Sequence, residues 1–137
     1  MNDLVLDASF GLRWCFEDES TPGTEAVLTL LQNQKCAAWT PDIFGFEMLN
    51  GLGKGIARGR IDRNKALLLL REIHELPIRT VAIAPNEQLL ALALQRNLSV
   101  YDASYLSLAL TLSLPLATAD GKLRNAAEVR GIEIIKP

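Results

Sequence analysis

Apolar residues in this chain arrive in two kinds of run, and the alternation between them restricts the fold more than any other feature. One kind is short: Leu4–Leu6, Cys36–Trp39, Thr80–Ile83, Pro115–Ala119 and Ile132–Ile135. Runs of this length bounded by turn-forming residues read as buried strands. The other kind recurs at helical spacing. Phe10, Leu12, Trp14 and Cys15 mark a helix that stops near Glu17-Asp18-Glu19, after which Ser20–Gly23 reads as a loop. Residues 26, 27, 30 and 31 form the apolar stripe of a helix over Thr24–Gln32. Further helices are predicted over Ile43–Arg58, over Asp62–Leu76 with Asp62 as its cap, and from Pro85-Asn86 to Asn97. Ser99 caps another, from Tyr101 to Leu114, which Pro115 ends, and Lys122–Arg130 is the last. Short strands separated by helices need right-handed crossovers, which give a parallel sheet covered on both faces. The expected class is α/β, a three-layer sandwich with the Leu4 and Leu116 strands the most buried.

Composition narrows the setting. A chain of 137 residues, 49% hydrophobic and 22% charged, has the size and balance of one compact domain over residues 1–137. Its first residues, Met-Asn-Asp-Leu, lack the basic and long apolar regions of a signal peptide, and runs such as Leu67–Leu70 are far too short to cross a bilayer. Cys15 and Cys36 lie in apolar segments without companion metal ligands, as buried thiols of a cytoplasmic protein do. The net charge of −2 gives no global attraction to nucleic acid, so any anionic partner has to meet a local patch.

An open parallel sheet binds ligands outside the carboxyl ends of its strands. Asp7 follows the first strand and Asp120 follows the Leu116 strand, while Asp102 lies in the first turn of the helix between Ser99 and Pro115. Glu47 sits in Ile-Phe-Gly-Phe-Glu-Met-Leu, an isolated charge in an apolar half-helix. Each acid also has a purely structural reading. Asp7 and Asp120 suit helix caps, Asp120-Gly121 suits a turn, and Ser99 with Asp102 fits a capping box. Glu47 shares a polar helix face with Asn50, Gly51 and Lys54. What singles out the four is joint: all are placed to reach one edge of the sheet.

Four segments carry a resemblance. VLDASFGLRWCFEDE, PDIFGFEMLNGL, YDASYLSLAL and PLATAD, in this order and spacing, resemble a PIN domain, and more narrowly the VapC-type toxin ribonucleases. The resemblance runs from Leu4 to about Ile135, and YDASYLSLA followed by PLATAD is its most specific part. It implies a parallel sheet of about five strands with helices on both faces, and an acidic pocket that binds Mg²⁺ or Mn²⁺ and hydrolyses RNA. The catalytic, metal-binding carboxylates it implies are Asp7, Glu47, Asp102 and Asp120, with Ser9 and Thr118 as supporting hydroxyls. Some members carry one more acid after the last of these, and Gly121-Lys122-Leu123-Arg124-Asn125 holds none here. The resemblance also implies a cognate antitoxin protein that masks the pocket, and a homodimer.

The chemistry is consistent with that set, because hard divalent cations take oxygen ligands and activate water against phosphoryl groups. The single histidine, His74, lies between Glu72 and Glu75 on a helix surface and supports no catalytic triad; the glycines form no phosphate-binding loop. Lys54, Arg58, Arg60, Arg63 and Lys65 make a basic corner opposed by Asp62 alone. Of these, Arg58, Arg60 and Arg63 are candidate contacts to an RNA backbone or a partner, as are Lys122 and Arg124 beside Asp120. Gly51, Gly53 and Gly55 are costly inside a helix, so an early helix end near Gly51 is the plainer reading and close helix approach the other. Two rival functions share the α/β pattern. A PIN-fold RNA-binding module with little catalysis differs in chemistry alone, and a receiver-type phosphoacceptor is disfavoured by a third strand ending in Ile83-Ala84-Pro85 rather than an acid.

Overall fold

The computed structural model describes residues 2–137. Its strands are β1 (Leu4–Leu6), β2 (Ala38–Pro41), β3 (Ile78–Val81), β4 (Leu116–Ala117) and β5 (Ile134–Ile135). They form one parallel sheet in the order β3-β2-β1-β4-β5. The helices are α1 (Ala8–Gly11), α2 (Pro22–Gln32), α3 (Phe44–Ala57), α4 (Arg63–His74), α5 (Glu87–Arg96), α6 (Val100–Leu112) and α7 (Gly121–Val129). Two 3-10 turns, Leu12–Cys15 and Glu17–Glu19, follow α1. Successive strand residues point to opposite faces, and all three residues of β1 are 0% exposed, so both faces of the sheet are covered.

The expected α/β architecture is the observed one, with differences at the borders. β2 begins later than the apolar run because Ala37 and Trp39 turn to Asp3: the Ala37 N–H donates to Oδ1 (2.9 Å) and the indole N–H to Oδ2 (3.0 Å). The strand runs on through Thr40 and Pro41, which pair with β3 only, since β1 accompanies β2 no farther than Trp39. A proline is tolerable where one side of the strand is unpaired. β3 starts at Ile78 rather than Thr80 because it is an edge strand: Arg79 is exposed, with its guanidinium over the Trp39 ring at 5.1 Å, and breaks the apolar run. Pro22 and Gly23 belong to α2 rather than a loop. Thr21 and Thr24 cap each other reciprocally and Pro22 occupies the first helical turn, where its missing N–H costs nothing.

The glycine-rich helix does not end near Gly51; α3 continues to Ala57. A methyl group at Gly51 would stand 2.5 Å from the Leu12 side chain, and one at Gly55 2.6 Å from the Phe16 ring. These two glycines therefore let α3 lie directly on the 3-10 segment, whereas Gly53 faces open space. Cys15 and Cys36 are buried free thiols, as expected, and no helix among the described residues is long and apolar enough to cross a membrane.

The chain leaves β1 toward β2 and β3, then returns to the other side of β1 as β4. Ligand crevices in open α/β sheets form where the order reverses in this way, outside the strand ends. Here the reversal lies between β1 and β4, whose carboxyl ends are tied by the Asp7 N–H donating to the Ala117 carbonyl at 3.0 Å.

Candidate active site

Asp7 leaves β1 at this reversal point and is only 3% exposed. It occupies the cap position of α1 yet makes no side-chain cap bond; its Oδ2 instead accepts from Thr118 Oγ1 (2.8 Å) and from the Ser9 hydroxyl. Both hydroxyls thus hold the same oxygen, and no donor among the described residues holds Oδ1. The same two hydroxyls fasten the chain beyond β4. Ser9 Oγ accepts from the Ala119 N–H and Thr118 Oγ1 accepts from the Asp120 N–H, each at 3.0 Å. Burial pushes the Asp7 carboxyl up to about 6; the two hydroxyls oppose the shift, and the charges of Glu47 and Asp102 add to it.

The other acids arrive on separate elements. Glu47, half-buried on α3, accepts a hydrogen bond at Oε1 from the Tyr105 hydroxyl at 2.7 Å. Burial raises its pKa, the tyrosine bond opposes that, and the Asp102 charge reinforces it. Asp102 lies in the first turn of α6, its N–H capped by Ser99 Oγ at 3.0 Å. Its carboxyl is raised by burial and then by the Asp120 charge, while Ser99 and the Lys122 ammonium pull the other way. Asp120 is the N-cap of α7 and accepts from the Lys122 N–H at 2.9 Å. Asp7, Glu47 and Asp102 therefore lie within one another's fields, and Asp102 within that of Asp120.

Tyr105 is the member of this group that pattern reasoning passes over. It is fully buried, and in an apolar helix a tyrosine reads as core. The available signal is its spacing: three residues beyond Asp102 it lies on the same helix face. Burial first, then the Asp7 and Glu47 charges, push its hydroxyl far up, so it stays a proton donor to Glu47.

Among the described residues, no three Asp, Glu, His or Cys side chains stand close enough to enclose a metal ion by themselves. The donor set still fits an open magnesium-type site. Mg²⁺ takes one or two carboxylates, keeps several waters and shares the substrate phosphate, and Asp7 Oδ1 and the second oxygen of Glu47 are not held by hydrogen bonds to protein groups.

The basic residues are less concentrated than their spacing suggests. Arg60 makes paired bonds to Asp18 (3.0 and 3.1 Å), lies 3.5 Å from Glu19 and stacks over Phe16. Arg63 lines a separate shallow hollow with Asp62, Asn64 and Lys65. Arg124 reaches Glu128 at 3.9 Å, and Lys122 acts on Asp102. His74 is exposed beside an apolar hollow of about 390 Å³ between α3 and α4, which contains none of the four acids.

The family model described as PIN domain matches residues 4–129. Ribonuclease VapC12 of Mycobacterium tuberculosis is 30% identical over 123 residues, 90% of this chain and 91% of its own. Ribonuclease VapC3 of Pyrobaculum aerophilum is 30% identical over 124 residues, covering 88% of this chain and 91% of its own. Among solved structures, PAE2754 from Pyrobaculum aerophilum superposes with a TM-score of 0.75 at 21% identity, over 97% of this chain and 89% of that one. FitAcB from Neisseria gonorrhoeae gives 0.54 at 17% identity, over 98% and 96%. At these identities the structures speak for the fold alone.

Proposed function

This chain belongs to the PIN domain family, and from that premise we propose that it is a metal-dependent endoribonuclease, the toxin of a toxin–antitoxin pair. The observation that carries the reading is the convergence of Asp7, Glu47, Asp102 and Asp120 from four separate elements on one edge, at the cost of raised pKa values for three of them. Buried like charges are unfavourable in a merely structural protein and are relieved by a cation.

Asp7 and Glu47 would be the principal ligands of Mg²⁺ or Mn²⁺, with Asp102 and Asp120 acting directly or through water. Such an ion, when bound, neutralises charge on the phosphoryl oxygens and lowers the pKa of an attacking water. The chain's own groups hold the ligands still. Ser9 and Thr118 pin one oxygen of Asp7 and leave the other free of protein hydrogen bonds, and Tyr105 does the same for Glu47. Lys122, close enough to act on Asp102, adds positive charge beside the acids, where a phosphodiester would bind. Two relatives that are named VapC ribonucleases support RNA as substrate. The resemblance brings with it a small antitoxin as partner, a homodimer and a cytoplasmic setting.

The test is RNA cleavage by the purified chain with Mg²⁺, Mn²⁺ or EDTA, beside Asp7→Asn and Asp102→Asn. Cleavage that requires metal and is lost, by a hundredfold or more, in both variants with their helical signal retained is the expected result. Cleavage that persists in excess EDTA overturns the metal mechanism. Binding of RNA without cleavage under any of these conditions makes the chain a binding module.

A further inference from the structure

Ser9 belongs to two places at once. Its hydroxyl holds Asp7 and the Ala119 N–H, and it also forms one end of a separate hollow of about 230 Å³ between the 3-10 segment and α3. The floor of this hollow is Leu12, Phe16, Gly51 and Gly55, the close helix contact described above. Its rim is cationic: Arg13, Lys54, Arg58 and Arg60 line it, against a single acid, Glu19.

Arg60 is occupied by Asp18 and Glu19. Among the described residues, Arg13, Lys54 and Arg58 make no salt bridge. Cations near a helix C-terminus interact favourably with its dipole, which accounts for Lys54 and Arg58 at the end of α3. It does not account for Arg13, which comes from the 3-10 turn and lines the same hollow. Nor does it remove the repulsion of like charges four residues apart. A chain of net charge −2 thus gathers three unpaired cations around one concavity, directly beside its most acidic edge.

We propose that this hollow is a phosphate subsite, in which Arg13, Lys54 and Arg58 hold a phosphodiester of single-stranded RNA flanking the bond presented to the acids. This rests on the nuclease reading and adds the path of the strand to it. RNA at the acidic edge is repelled by four carboxylates, and a flanking phosphate held a short way along the chain offsets that repulsion. Guanidinium groups suit phosphate because they present paired donors in a fixed fork. Contacts of this kind position a strand and do not read its bases, so the subsite is indifferent to sequence.

The experiment is fluorescence anisotropy with a labelled, mixed-sequence single-stranded RNA in EDTA, its integrity checked on a gel, from 50 to 200 mM KCl. Each phosphate contact on a single strand contributes about 0.7 to the slope of log affinity against log salt. The triple variant Arg13→Gln, Lys54→Gln, Arg58→Gln gives up one such phosphate and is therefore expected to lower the slope by about 0.7. The control pair Lys35→Gln, Arg71→Gln, exposed and outside this hollow, is expected to leave it unchanged. Lys54 and Arg58 are both exposed, so their double variant keeps the core and should lower the slope in the same direction, by no more than about 0.7, if the triple variant melts. An unchanged slope in folded variants overturns the subsite, and metal-activated cleavage by the wild type then leaves the nuclease reading standing. A lowered slope in a protein that leaves RNA intact with Mg²⁺ upholds the subsite and overturns the nuclease reading. Loss of binding to polyglutamate with RNA binding unchanged assigns the cations to an acidic protein and overturns the proposal.

Discussion

At the scale of single residues, the most informative group is Asp7, because its surroundings make opposite demands on it. Burial favours the protonated acid, while two hydroxyls favour the carboxylate, and burial wins: the group titrates near 6 instead of 3.8. The folded state then holds an extra proton between those two pH values. Asp7 destabilises the fold fully above about pH 6, and that penalty disappears as pH falls through the folded value toward 4. Asp7→Asn removes the charge and keeps an acceptor, which suffices because both hydroxyls bind one oxygen. The variant is expected to be more stable than the wild type by about 2 kcal/mol at pH 8. The advantage should shrink below pH 6 and vanish near pH 4. Denaturant melts of both proteins across this range check it, and equal stability at pH 8 would show that burial does not strain the carboxylate.

Among elements, α3 repays attention, since along one side it supplies Glu47 and then the close backbone contacts at Gly51 and Gly55. Spacing alone made its glycines look like a helix end, because propensity counts each as unfavourable and contains nothing about Leu12 or Phe16. The glycines are predicted to behave differently under the same substitution. Gly53→Ala meets open space and should stabilise the protein by about 0.5–1 kcal/mol through helix propensity. Gly55→Ala drives a methyl group against Phe16, itself buried beneath Arg60, and should destabilise by about 1–3 kcal/mol. Thermal melts of the two variants decide it; shifts of the same sign would mean that α3 does not rest on Phe16. The strand borders were hidden for a related reason. Ile78 and Arg79 lie on an edge strand whose side chains need not be apolar, and only the pairing with β2 makes them strand residues.

For the whole molecule, the alternation of short apolar runs with helices was enough to predict the parallel sheet, and burial by pattern was enough to put the Leu4 and Leu116 strands at its centre. The four acids were legible because chain position alone takes them to one edge. Their individual bonds were not. Asp120 does cap its helix, whereas Asp7 stands in a cap position without capping, a distinction set by the Ser9 and Thr118 hydroxyls, the second of them from the far end of the chain. The convergence has a global consequence that needs no substrate to observe. A divalent ion that binds the folded edge stabilises the whole fold, by about 2.7 kcal/mol at a hundredfold excess over its dissociation constant. Melting in Mn²⁺ against EDTA should show this rise in the wild type and a smaller one in Glu47→Gln. Equal rises in the two would remove Glu47 from the ligand set.

Beside the local bond from Ser9, the contacts that fasten Asp7 and its neighbours join residues 109 to 111 positions apart: Ser9 to Thr118, Ala119 to Ser9 and Thr118 to Asp7. A growing chain presents Asp7 111 residues before the Thr118 hydroxyl that holds it. Until Thr118 and Asp120 have left the ribosome, Asp7 lacks the hydroxyl and the strand that hold it in place. If the acids cleave RNA as proposed, a growing chain lacks a complete site until the segment from Thr118 to Asp120 has emerged.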